Sequence, residues 1–118
     1  MTKTKGIHHI TAITSDPQKN LDFYEGFLGQ RLVKKTVNFD DPNAYHLYYG
    51  DAVGTPGTIM TFFYWAGIPK GTRGNGEVAS IYYTIKSTSI DFWKERADEF
   101  NVSYTEKVLP FGETVLMI

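Results

Sequence analysis

Polar and apolar residues alternate along the first predicted strand, Ile7 to Thr14. Side chains of a strand point alternately to its two faces, so a period of two separates odd-numbered from even-numbered positions. His9 and Thr11 therefore share one face with Ile7 and Ile13. His8 is expected on the opposite face, because adjacent residues of a regular strand point apart.

A short helix over residues 17–28 follows the first strand. Asp16 and Pro17 form a favourable N-cap and first-turn pair, Leu21, Tyr24 and Leu28 recur at helical spacing, and Gly29 provides a stop. Three segments rich in β-branched and aromatic residues come next, and turn residues such as Asp40–Asn43 separate them. These strands are Gln30 to Phe39, Tyr45 to Asp51 and Thr58 to Trp65. The predicted order is β-α-β-β-β.

The second half of the chain begins the same pattern again about 70 residues further on. A strand is predicted over Val78 to Ile85, a helix over residues 88–100, and strands over Val102 to Phe111 and Glu113 to Ile118. A fourth strand at the same offset would fall past residue 118, so the second module is expected to be truncated. Short hydrophobic segments can resemble one another by chance in any α+β protein. The shared order of elements is therefore what favours a repeat.

The predicted fold class is therefore α+β, built from paired β-α-β-β-β modules in one domain over residues 1–118. Module one covers residues 6–66 and the incomplete module two covers residues 77–118. Glycines and charged residues crowd positions 67–76, which predicts a linker between them.

Charge and composition exclude several classes of partner. A chain of 118 residues with 42% hydrophobic content can bury a core. Its net charge of -1 provides no excess of positive charge for binding nucleic acid or an anionic membrane. No apolar stretch is long enough to span a bilayer, and we expect a cytoplasmic protein. Without cysteine, only His, Asp and Glu remain as strong metal ligands.

Three histidines, His8, His9 and His46, are the candidate sites of chemistry. His9 and Thr11 share a face, so a cleft on that face would receive an imidazole and a hydroxyl. A lone strand histidine is more often structural than a ligand. For His46, within Tyr45–Tyr49, packing or a hydrogen bond is the expected role. No closely spaced ligand pair occurs, so any metal site must draw on distant segments.

Several stretches of the chain resemble bacterial ring-cleaving dioxygenases of the hydroquinone type, which belong to the glyoxalase/bleomycin resistance superfamily. The matching stretches are Gly6 to Ile13, Asp22 to Tyr24, Leu32 to Pro42 and Tyr45 to Asp51. The resemblance is specific from Gly6 to about Trp65 and looser beyond. It implies that paired modules close a curved mixed sheet around a metal cleft.

The same resemblance implies roles for individual residues. His9 would be a ligand for Fe(II) or another divalent metal, and His8 and Thr11 would have supporting catalytic roles beside the metal and a small aromatic substrate. His8 would need a bulge or a strand-end position to contribute. The family draws another histidine and a glutamate from a later part of a longer chain. The resemblance therefore implies an extradiol-type ring-cleaving dioxygenase domain that is incomplete for catalysis alone.

Two other functions remain open at this point. The chain could be a non-catalytic small-molecule-binding module of the bleomycin-resistance type. A glyoxalase I type of enzyme is disfavoured, because Thr58 to Phe63 carries no glutamate. An open strand edge at the end of module two further predicts a homodimer.

Overall fold

The computed structural model describes residues 2–37 and 44–118. The predicted turn at positions 40–43 and the end of the predicted second strand lie outside the described residues. The chain divides into two compact units, the first ending at Gly71 and the second covering Thr72–Ile118. Among the described residues, no helix is both long enough and apolar enough to cross a membrane.

Unit one holds a mixed sheet of four strands and one helical segment. Its strands are β1 (His9–Thr14), β2 (Arg31–Val37), β3 (Tyr45–Gly50) and β4 (Ile59–Tyr64), and its helix is α1 (Pro17–Leu21). The strands lie in the order β1-β4-β3-β2. β1 pairs with β4 in parallel, whereas β4 with β3 and β3 with β2 pair antiparallel. The predicted β-α-β-β-β order and the α+β class are confirmed.

α1 begins where the sequence predicted, at the Asp16–Pro17 pair. The Asp16 side chain accepts hydrogen bonds from the backbone N–H groups of Gln18 and Lys19. The segment that continues α1, Asp22–Phe27, is a π-helix, in which the N–H of Leu28 donates to the carbonyl of Phe23. The helix predicted over residues 17–28 is therefore confirmed except for its last residue, and it changes its hydrogen-bond period midway.

The core of unit one lies between this helical segment and one face of the sheet. Its buried members come from the two central strands: Leu47, Tyr49, Met60 and Phe62. Ile10 and Ala12 of β1 pack against them from the strand side. Tyr24 packs from the helical side, stacking on Tyr49 with ring centroids 5.1 Å apart. Alternation along β1 therefore leaves His9, Thr11 and Ile13 on the face away from this core.

Unit two contains a helix and a two-stranded antiparallel sheet. A turn of 3₁₀ helix, Ser87–Ser89, leads into α2 (Ile90–Glu99), and the strands are β5 (Thr105–Val108) and β6 (Thr114–Met117). Ala97 is the buried residue of α2, and Lys94 of the same helix forms an ion pair with Glu106 of β5. The predicted helix is confirmed, and the two predicted strands are shorter than expected.

The predicted strand over Val78 to Ile85 is wrong. Residues 78–85 belong to no helix or strand, and all of them are exposed. In unit one the corresponding strand, β1, forms its ladder with β4. The described part of unit two has β5 and β6 but no strand in the place of β4. Because a strand is defined by its pairing, an alternating sequence alone cannot form one.

Candidate functional site

The candidate site lies on the sheet face opposite the aromatic core. His9 and Thr11 of β1 are both exposed there, one pleat apart. Thr11 pairs in register with Thr61 of β4, and Thr61 pairs with Tyr48 of β3. His46 follows one pleat along from Tyr48, opposite Phe63. The strand register thus brings two histidines, two threonines and a tyrosine onto one face.

His8 lies just before the strand and not within it. β1 begins at His9, so the alternation that was expected to turn His8 to the opposite face does not apply to it. Its Nδ1 atom is 3.0 Å from Nδ1 of His9, and the two rings meet edge to face. The carbonyl of His8 accepts a hydrogen bond from the N–H of Gly57, which anchors the strand end. His8 therefore lies at the end of the strand, which is one of the two positions from which its side chain was expected to be able to act beside His9.

Four side chains on this face are joined by consecutive hydrogen bonds. The Tyr48 hydroxyl is 2.8 Å from His46 Nδ1, and His46 Nε2 is 3.0 Å from the Thr61 hydroxyl. The Thr61 hydroxyl donates to the Thr11 hydroxyl over 2.8 Å. We call this row, Tyr48-His46-Thr61-Thr11, the polar chain. It crosses three strands and ends beside His9.

His46 is held firmly within the polar chain. Its ring stacks on Phe63 with centroids 3.9 Å apart, so the packing and hydrogen bonding expected for this residue are confirmed. Partial burial lowers the pKa of His46 below its usual 6.5, and electrostatic interactions with the His9 and Lys34 side chains lower it further. Lys34 lies over the Tyr48 ring, 5.5 Å from its centroid. The imidazole is therefore neutral at pH 7.

Sequence reasoning missed Thr61 and Tyr48 as partners of His46. Thr61 is fully buried, and it is the polar residue in the otherwise apolar or aromatic strand β4. A threonine in an apolar strand is expected to be buried and therefore to need a hydrogen-bond partner. The sequence of β4 thus contained a signal for this contact. His46 and Tyr48 are two positions apart in β3, so alternation also places them on one face.

The donor atoms present do not complete a metal centre. In the described ranges, no group of three or more histidine, aspartate or glutamate side chains is placed to hold a metal ion. Asp51, at the end of β3, is engaged in its own turn and accepts from the N–H groups of Val53 and Thr55. A hydrogen bond from the Thr55 side chain is the main reason that the pKa of Asp51 lies below its usual range. His9 thus offers one metal-binding nitrogen, with His8 beside it.

A protein-family model and several curated proteins match this chain. The model described as "Glyoxalase/Bleomycin resistance protein/Dioxygenase superfamily" matches residues 6–112. "Putative ring-cleaving dioxygenase MhqO" of Bacillus subtilis is 57% identical over 111 residues, covering 94% of this chain and 35% of that protein. "Chlorohydroquinone/hydroquinone 1,2-dioxygenase" of Sphingobium indicum is 37% identical, covering 97% of this chain and 36% of that protein. The chain therefore spans about a third of the length of these relatives.

Solved structures agree with the sequence matches. A crystal structure of a "putative dioxygenase" from Bacillus subtilis has a TM-score of 0.89 and 53% identity, covering 98% of this chain and 37% of that one. The fosfomycin resistance protein FosX of Listeria monocytogenes, solved with Mn(II) and a dihydroxypropylphosphonic acid, has a TM-score of 0.67 at 16% identity. It covers 98% of this chain and 85% of that one. At that identity the likeness concerns the fold alone.

Proposed function

We propose, since this chain belongs to the glyoxalase/bleomycin resistance protein/dioxygenase superfamily, that it forms the His9-bearing part of a metal-dependent ring-cleaving dioxygenase. The proposed substrates are hydroquinone or catechol-type aromatics, and the proposed metal is Fe(II). The observation that carries the proposal is the exposed His9 imidazole beside Thr11 and His8, on the face away from the core. Curated relatives named as ring-cleaving dioxygenases match the segment that contains these residues.

The roles of the three residues follow from their positions. His9 supplies one ligand nitrogen, and the remaining ligands come from protein outside the described residues. The contact between His8 Nδ1 and His9 Nδ1 orients the His9 ring. In metal sites, a hydrogen bond to the ring nitrogen that does not bind the metal commonly has this effect. Thr11 places a hydroxyl one pleat away, where it reaches a bound aromatic oxygen. When bound, a divalent metal of this kind would polarise the substrate oxygens and dioxygen.

A chimera tests this proposal. In it, the chain replaces the matching segment of the Sphingobium indicum dioxygenase, and oxygen uptake with hydroquinone is measured after loading with Fe(II). We expect uptake by the chimera, reduced by about 100-fold or more in the His9→Ala variant, because loss of a ligand weakens metal binding at least as much as loss of a supporting contact. The control is Ile13→Ala, an exposed position on the same face of β1 that carries no ligand or hydrogen-bonding atom. A folded chimera that remains as active after His9→Ala as before contradicts the proposal.

The incomplete donor set favours a second candidate function, small-molecule binding without metal chemistry. Exposed polar groups beside the stacked His46 and Phe63 rings suit a small aromatic ligand. Binding of such a ligand to the metal-free chain, with no change on adding Fe(II), supports this alternative over the first.

The proposed assembly is a homodimer, and the proposed location is the cytoplasm. The sheet of unit two has only two strands, so each has a free edge. Exposed apolar residues accompany these edges, among them Met117 and Ile118. Association of two copies would cover such edges.

A further inference from the structure

The hydrogens of the polar chain are most favourably arranged in one direction. A neutral imidazole has one donor and one acceptor nitrogen, and each hydroxyl has one hydrogen. If Tyr48 donates to His46 Nδ1, then Nε2 carries the proton and donates to Thr61, and Thr61 donates to Thr11. Thr61 has two lone pairs and could accept from both neighbours, but its own hydrogen would then be buried without a partner in the chain, which is costly. With that arrangement disfavoured, reversing one bond reverses all of them. The polar chain therefore has two possible polarities.

Chemistry at the Tyr48 end favours the first polarity. A phenol is more acidic than an aliphatic alcohol, so Tyr48 is a better donor to a ring nitrogen than Thr61. The phenol oxygen is also the weaker acceptor, since its lone pairs are delocalised into the ring. The Thr61 hydroxyl accordingly donates to Thr11 over 2.8 Å. Complete burial of Thr61 keeps water from supplying an alternative partner.

We propose that His46, as the Nε2–H tautomer, is a positioning residue that fixes this polarity and makes Thr11 a hydrogen-bond donor to an anionic oxygen bound beside His9. Thr11 accepts from Thr61 and so keeps its own hydrogen free on the exposed face. A free hydroxyl hydrogen prefers a charged acceptor, because hydrogen bonds to ions are about twice as strong as neutral ones. The ligand class, a phenolate oxygen of a dihydroxybenzene, rests on the proposed function, whereas the polarity does not.

Two further features of the structure support the proposal. Burial and nearby positive charge lower the pKa of His46, and a neutral ring is what a one-directional chain requires. Stacking on Phe63 fixes the plane of the ring, so its two nitrogens stay aimed at Tyr48 and Thr61.

Nitrogen NMR of the whole chain with ¹⁵N-labelled histidine tests the polarity without any ligand. We expect the His46 signals, assigned by their loss in His46→Gln, to show a protonated Nε2 and an unprotonated Nδ1. In Tyr48→Phe the donor to Nδ1 is gone, and we expect the population to shift towards the Nδ1–H tautomer. A wild-type ring that is protonated on Nδ1, or one unaffected by Tyr48→Phe, would overturn the proposal.

Binding of nitrocatechol, whose phenol and phenolate forms differ in absorption, tests the consequence for Thr11. We expect the phenolate spectrum in the complex and binding about tenfold weaker in Thr11→Val, while Thr11→Ser retains it. Tyr48→Phe should weaken binding severalfold alone but add nothing in the Thr11→Val background, because both act through one hydrogen. Additive effects overturn the coupling. If nitrocatechol binds no variant while His46 keeps its Nε2–H tautomer, the ligand class fails with the proposed function, and the polarity stands.

Discussion

Two neighbouring tyrosines of β3 show how one residue type takes opposite roles on the two faces of a strand. Tyr48 points to the polar chain, where its hydroxyl bonds to His46. Tyr49 points into the core and is fully buried, and its hydroxyl has no hydrogen-bond partner among the described residues. Burial, with smaller effects from Glu25 and Tyr24, raises the pKa of Tyr49 to about 12. Alternation predicts the two faces, but only the packed structure tells which hydroxyl is satisfied.

Removing these two hydroxyls separately should have different effects on stability. Tyr49→Phe keeps the ring stacked on Tyr24 and removes an unpaired buried polar group, so we expect unchanged or higher stability. Tyr48→Phe breaks the bond to His46 and should cost about 1 kcal/mol. Urea unfolding of both variants and the parent chain measures the difference. A larger loss in Tyr49→Phe than in Tyr48→Phe would mean that the Tyr49 hydroxyl is bonded after all.

His46 should make the stability of the fold depend on pH. Its pKa in the folded chain is lowered from 6.5, so below that pH the unfolded chain takes up the proton first. The free energy of unfolding should therefore fall as the pH decreases below 6.5, with a slope from this one proton of at most about 1.4 kcal/mol per pH unit. More than about one pH unit above 6.5 both states are deprotonated, and the group no longer contributes to the pH dependence.

Denaturant titrations from pH 7 downwards check this effect. His46→Gln should remove this part of the slope, whereas His8→Gln, at an exposed position outside the strands, serves as the matched control. An identical pH dependence in the parent chain and His46→Gln would show that the folded and unfolded chains bind this proton equally.

At the scale of elements, the sequence predicted what depends on local chemistry and missed what depends on partners. The Asp16–Pro17 pair and the alternation of Ile7 to Thr14 were sufficient for α1 and β1. The π-helical segment Asp22–Phe27 was not predicted, because helical spacing does not distinguish hydrogen bonds four residues apart from those five apart. The Val78 to Ile85 strand was predicted wrongly, since alternation is visible in the sequence and pairing is not.

The same distinction applies to the candidate site. His9 and Thr11 could be grouped from one strand, because both follow from a single alternation. The link from Thr11 through Thr61 to His46 needs the order β1-β4-β3, in which strands distant in sequence become neighbours. Sequence spacing alone does not contain that order.

The N-cap of α1 gives a test at this scale. Asp16 accepts from two backbone N–H groups that have no partner within the helix. Asp16→Ala should therefore lower the free energy of unfolding by about 1 kcal/mol, while Asp16→Asn should retain most of it. Thermal unfolding followed by circular dichroism measures both. Equal losses in the two variants would indicate that the charge of Asp16, and not its capping geometry, stabilises the helix.

On the scale of the whole molecule, the two units differ in how fully they bury their apolar residues. In unit one, the four-stranded sheet covers one side of a hydrophobic cluster that includes the fully buried Tyr49. Unit two has Ala97 as its buried hydrophobic residue, whereas Val78, Tyr82 and Val108 remain exposed. A two-stranded sheet is marginally stable in water without further covering. Unit two is thus the part of the chain with the larger need for a partner surface.

The proposed homodimer is the prediction that belongs to this scale. If free edges of the two-stranded sheet associate, light scattering at tens of micromolar should give twice the chain mass of 13.4 kDa. Leu116→Lys, in β6, should shift the mass towards the monomer, because a lysine on an edge strand opposes pairing. Lys107→Arg, in β5, is the control that keeps charge and strand. A monomer in the parent chain at that concentration refutes the dimer, and a dimer unaffected by Leu116→Lys places the interface away from β6.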